Sequence, residues 1–110
     1  MEVRATAKGV RASPHKVRRV VDMVRGRNAE EAVAILSFTP GPIARRVVRV
    51  VKSAIANAEN NFHMTPSELT IVKAFVDEGP TMRRVRFGGR ATVKPIRKRM
   101  SHITIVVEEK

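Results

Sequence analysis

Hydrophobic positions in this 110-residue chain follow first a strand period, then a helix period three times, then a strand period again. Val3, Ala5 and Ala7 alternate with Glu2, Arg4, Thr6 and Lys8, so an edge strand is expected over residues 2–10. Val17, Val20, Val21 and Val24 then recur at i, i+3, i+4 and i+7, one apolar helical stripe. Ser13-Pro14 ahead of them offers a hydroxyl for the N-cap and a proline for the first helical position, and Gly26 suits the stop. Asn28, with Glu31 three positions on, has capping-box spacing and opens a second, short helix. Its Ala32, Val33, Ile35 and Leu36 suit one buried side, and Glu30 and Glu31 suit the dipole of its first turn. Phe38-Thr39-Pro40-Gly41-Pro42 breaks the chain. Ile43, Val47, Val50, Val51, Ala54, Ile55 and Ala58 then hold the 3.6 period for about four turns, the expected centre of the core. Asn57, Asn60 and Asn61 gather where that helix should end.

Two β-branched runs follow. Leu69, Ile71, Lys73 and Phe75 are expected on one face of the first, and Ile103, Ile105 and Val107 alternate with His102, Thr104 and Val106 in the second. Between them, residues 79–100 hold eight cations (Arg83, Arg84, Arg86, Arg90, Lys94, Arg97, Lys98 and Arg99) and no acid. Gly88-Gly89 lies near the middle, where positive φ lets the chain reverse, so this stretch is expected to be a hairpin arm. A two-stranded ribbon is marginal alone, its like charges repel, and Pro95 lacks a ladder N–H. Such an arm makes physical sense where a polyanion supplies the counter-charge. The order strand, helices, strand, strand predicts an α+β fold. Its three-stranded, mostly antiparallel sheet is packed by three helices, with a long basic β-hairpin arm extending from the sheet. The chain is expected to be one domain over residues 1–110, with a globular body (1–80 and 101–110) and the arm (81–100).

Charge sharpens this picture. There are 22 Lys and Arg against 10 Asp and Glu, a formal net charge of +12, which speaks about partners rather than fold. Nucleic acid is the first candidate. The first helix carries His15, Lys16, Arg18, Arg19 and Arg25 on its polar side, continued by Arg27, with only Asp22 against them. Arg45, Arg46, Arg49 and Lys52 form a second basic face on the long helix. A membrane-surface role would need bulky anchors opposite these charges, and the chain has no Trp and no Tyr. A DNA-binding module would need a recognition helix or dimer seam, and neither basic helix has an obvious second partner. No stable homo-oligomer is expected.

Catalytic chemistry finds no support. The chain has no cysteine, which removes disulfides and thiolate metal sites. His15, His63 and His102 are scattered without metal-ligand spacing, and no cofactor is expected. Asp77 and Glu78 are adjacent on a strand and so point to opposite faces. Gly88-Gly89 lacks the phosphate-loop pattern, and Phe87 alone cannot make a stacking platform. No apolar run approaches the roughly 18 residues of a membrane span, and no apolar segment follows the basic N-terminus, so a cytoplasmic location is expected.

Four segments together resemble the bacterial large-ribosomal-subunit protein twenty-two family: Ser13-Pro14-His15-Lys16-Val17-Arg18, Ser53-Ala54-Ile55-Ala56-Asn57-Ala58-Glu59-Asn60-Asn61, Val76-Asp77-Glu78-Gly79-Pro80, and Lys98-Arg99-Met100-Ser101-His102-Ile103-Thr104. The resemblance covers essentially the whole chain in order. It implies a structural protein that binds several segments of large-subunit ribosomal RNA early in assembly, beside neighbouring ribosomal proteins. It further implies a globular part near the exit-tunnel mouth and a hairpin reaching to the constriction, beside the macrolide site and the nascent polypeptide. The RNA-binding residues would then be the eight arm cations together with Arg11, His15, Lys16, Arg18, Arg19 and Arg25. The tunnel-lining tip would be Phe87, Gly88, Gly89, Arg90 and Ala91. There the chain departs from the family, which usually carries Pro-Arg-Ala-x-Gly-Arg-Ala where Phe87 to Val93 stand here.

Overall fold

The C-terminal strand is the axis of the fold. In the computed structural model, which describes residues 2–79, 82–87, 93–98 and 100–109 (82–87 and 93–98 as backbone), that strand is β5, Ser101–Glu109. β1 (Glu2–Val10) pairs with it on one side and β2 (Leu69–Glu78) on the other, both antiparallel, as the sequence order predicted. Three helices, α1 (Pro14–Asp22), α2 (Ala29–Phe38) and α3 (Pro42–Phe62), pack over one face. Ile103, Ile105 and Val107 of β5 are fully buried there, in one cluster with Val17 and Val21 of α1, Leu36 of α2, and Val47, Val51 and Ala54 of α3. Among the described residues, no helix packs on the other face. Thr104 and Val106 are nevertheless buried on it, because the register sets them between Thr6 and Phe75 and between Arg4 and Lys73. Long flanking side chains thus cover the central strand with their stems, and Lys73 Nζ reaches Glu2 Oε2 at 3.4 Å.

Three local expectations change. In β2 the register shifts between Ile71 and Lys73, which makes Val72 the extra residue of a bulge. Burial therefore switches phase: Leu69 and Ile71 point in, then Ala74 and Val76, while Lys73 and Phe75 face out. The expected face of Leu69, Ile71, Lys73 and Phe75 does not exist as one face. The bulge lets the lysine turn to water without losing the ladder. Next, α1 ends at Asp22, and Val24 is buried from the turn that follows. Gly26 (φ 82°) serves that turn, and its N–H donates to Ile71 O at 2.9 Å while Ile71 N–H donates to Arg27 O. Finally, the caps differ. Ser13 makes no side-chain cap bond, and Asn28 Oδ1 accepts from Glu30 N and Glu31 N at 3.0 and 3.3 Å. The Glu31 carboxylate does not return to Asn28 but takes Arg27, so only half of the capping box is present. α3 is ended by His63 in the left-handed region (φ 54°), not by an asparagine.

The β2–β5 pair runs on into a ribbon. Glu78 is opposite Ser101, Gly79 N–H donates to Met100 O at 2.8 Å, and β3 (Met82–Phe87) then pairs antiparallel with β4 (Val93–Lys98). A Cβ on Gly79 would lie 3.1 Å from His102 and 3.2 Å from Met100, so the base of the arm is a close approach. Val85 is opposite Pro95; both strands of a two-stranded ribbon are edges, where proline is tolerated. Gly88, Gly89, Arg90, Ala91 and Arg99 lie outside the described residues. The radius of gyration is 16.9 Å, against about 13 Å for a compact chain of this length, as an appended ribbon requires.

Candidate nucleic-acid interface

Helix α1 buries Pro14, Val17 and Val21 against the sheet and so turns His15, Lys16, Arg18 and Arg19 outward. The packing of α1 on β2 then divides these cations by what they reach. Arg18 Nη2 donates to Val76 O at 3.0 Å, and Arg25 donates from Nε to Ala74 O at 3.1 Å, with its Nη2 on the same carbonyl. Arg25 Nη1 also meets Asp22 at 2.8 Å. Together with the Gly26 N–H on Ile71 O, these bonds occupy three carbonyls on the free edge of β2, and charged cover of this kind keeps an edge strand from pairing further. Arg18 and Arg25 are thus partly structural. His15, Lys16 and Arg19 stay exposed, with no acidic partner among the described residues.

Helix α3 adds a basic surface outside the arm and α1. Arg45, Arg49 and Lys52 are exposed and recur at i, i+4 and i+7, a cationic stripe that was readable in the sequence. Between α3 and the free edge of β1 lies an open groove of about 480 Å³ lined by Lys8, Arg11, Arg46, Arg49 and Ser53 among others, with no acid. Its ends are tied: Arg46 Nη1 donates to Arg11 O at 3.0 Å, and Asn57 Nδ2 to Arg4 O at 3.4 Å. Arg11 is exposed beside it.

The remaining histidine at the sheet is accounted for locally. His102 Nδ1 accepts from Gly9 N–H at 3.1 Å, where β1 shifts register and Gly9 takes φ 68°. It is a strut between strands. Among the described residues, no three His, Asp or Glu side chains gather as metal ligands, and no helix is long and apolar enough to cross a membrane.

The sequence model of the family described as "Ribosomal protein L22p/L17e" matches residues 5–108. The chain belongs to this family. It is 53% identical over 106 residues to "Large ribosomal subunit protein uL22" of Pediococcus pentosaceus, covering 96% of this chain and 90% of that one. To the protein of the same name from Clostridium novyi it is 50% identical over 110 residues, 100% of this chain and 99% of the other. These relatives are structural ribosomal proteins, and the chain is a ribosomal protein rather than an enzyme.

Proposed function

We propose that this chain is a structural constituent of the large ribosomal subunit that binds its ribosomal RNA early in assembly, in the cytoplasmic ribosome. The body sits near the mouth of the polypeptide exit tunnel among neighbouring ribosomal proteins. The arm, residues 81–100, lines the tunnel, and its tip (Phe87, Gly88, Gly89, Arg90 and Ala91) meets the nascent polypeptide. The observation that carries this reading is the family match over residues 5–108, which takes in body and arm alike.

The mechanism is neutralisation of packed phosphates. The ribbon register sets Arg83 opposite Arg97 and Arg86 opposite Lys94, like-charge pairs that weaken an isolated hairpin. Phosphates from several RNA segments remove that repulsion and release their counterions. Arg83, Arg84, Arg86, Arg90, Lys94, Arg97, Lys98 and Arg99 make the main contacts, seconded by Arg11, His15, Lys16 and Arg19. Arg18 and Arg25 contribute the N–H groups that β2 does not use. Contacts are to phosphate, sugar and RNA shape rather than to base edges, because the deep groove of an RNA helix is closed to side chains. The test is sucrose-gradient sedimentation of cell lysate before and after a high-salt wash. Salt-resistant co-migration with the large subunit is expected; a protein that stays at the top of the gradient at low salt would end this reading.

A further inference from the structure

Phenylalanine is the only residue among Phe, Trp and Tyr that this chain uses, and the three phenylalanines with described side chains are all outside the core. Phe38 stands furthest out, 88% exposed at the last position of α2. Its neighbours fix it there: Ser37 Oγ donates to Val33 O at 2.7 Å, and Thr39 Oγ1 to Ile35 O at 2.9 Å. Both hydroxyls turn back onto the helix, so the end of α2 is held in place and the ring is presented to solvent.

Three cations share the groove that the ring lines. Phe38 lines an open groove of about 510 Å³ with Pro40, Arg45, Val48, Arg49 and Lys52. Arg49 also lines the groove beside β1, with Lys8, Arg11 and Arg46, so this one residue of α3 is shared by the two channels. Neither channel has an acidic lining residue. Protein interfaces also set aromatic residues inside polar rims, but three cations with no acid in the groove favour a polyanionic partner. A flat π-surface carried on a phosphate backbone satisfies both features at once. A base paired within a duplex cannot offer its face, whereas an unpaired one can stack on an aromatic side chain while cations hold the flanking phosphates.

We propose that the α3 ridge is a second RNA-binding surface, separate from the arm, that takes an unpaired nucleotide. Its base stacks on Phe38. Its flanking phosphates lie along Arg45, Arg49 and Lys52, and the strand continues toward Lys8 and Arg46. The inference rests on the ribosomal-RNA reading above and adds a site, and a requirement for single-stranded RNA, that the arm does not supply.

The chain has no Trp and no Tyr, so Phe38→Trp places a lone fluorescent reporter at the site. Its emission is expected to be quenched by a single-stranded oligoribonucleotide and to be unaffected by a duplex of equal length. Phe38→Ala should weaken binding of large-subunit ribosomal RNA about tenfold, with Phe38→Tyr restoring it, as loss and return of one stacked base would. Far-ultraviolet dichroism of these variants should match the unsubstituted protein, because the ring is outside the core. A parallel variant with Arg83, Arg84 and Arg86 replaced by Gln separates the two readings. If that variant loses affinity while Phe38→Ala does not and the indole emission of Phe38→Trp stays constant, the inference falls and the ribosomal-RNA reading stands. If the indole responds to neighbouring ribosomal proteins and not to RNA, the ridge is a protein contact and the inference is again overturned. Failure of the unsubstituted protein to bind the RNA at all would remove both.

Discussion

Arginine serves two purposes here, and the guanidinium's nearest carbonyl tells them apart. Arg25 is bound to Ala74 O on the edge of β2, whereas Lys16 and Arg19, on the same helix stretch, have no acidic partner among the described residues. Replacing Arg25 by Ala should cost about 1 kcal/mol in urea unfolding, with little of that from its exposed ion pair to Asp22. Lys16→Gln with Arg19→Gln should leave the urea midpoint unchanged and lower RNA affinity. An Arg25→Ala protein as stable as the parent would show that the edge bond is dispensable. Asn28 offers a second residue-scale test, because one side chain caps α2 and donates to Ser67 O at 2.8 Å. Asn28→Ala should lose about 1–2 kcal/mol, and Asn28→Asp, which keeps the acceptor but not the donor, clearly less. Equal losses for the two would assign the effect to the Ser67 bond alone.

At the scale of elements, what the sequence revealed depended on how far each pattern is self-contained. The apolar stripe of α3 runs through about four turns of one helix, and Val47, Val50, Val51, Ala54 and Ala58 are buried as their spacing requires. β5 was equally plain. β2 was not, because the extra residue at Val72 is defined only by its partner β5 and by the edge bonds from Gly26 and Arg27. The same reason hid the fate of Arg18 and Arg25: a helix wheel shows that they point outward but not that a strand edge waits beside them. The cationic stripe on α3 was legible, yet Phe38 as its companion depends on how α2 and α3 meet. The bulge makes a sharp prediction. Ala74 is 3% exposed and Phe75 38%, so Ala74→Lys should cost about 4 kcal/mol or more by burying an unpaired charge, enough to unfold a marginal domain. Phe75→Lys should stay within about 1 kcal/mol, as a change on the outward face does. Thermal melts of the pair decide it, and the reverse order would restore an unbroken alternation through residues 69–76.

For the whole molecule, the decisive property is that charge and core are kept apart along the chain. The buried cluster draws on β1, the helices, β2 and β5, while residues 81–100 contain eight cations and no acid, which is eight of the twelve net positive charges. The arm also leaves and re-enters the body at one point, where Gly79 N–H already meets Met100 O. Replacing residues 81–99 with a short turn should therefore close the β2–β5 hairpin without disturbing the core. The shortened protein is expected to melt cooperatively within a few degrees of the full chain, or slightly above it, since like-charge repulsion is relieved. Its affinity for large-subunit ribosomal RNA should fall steeply. The slope of log K against log salt should flatten by roughly 0.7–0.9 for each phosphate that is no longer neutralised. A shortened chain that fails to fold would make the arm part of the body and erase the division at residues 80 and 101. A folded one with an unchanged salt slope would move the RNA interface off the arm altogether, onto the basic faces of α1 and α3.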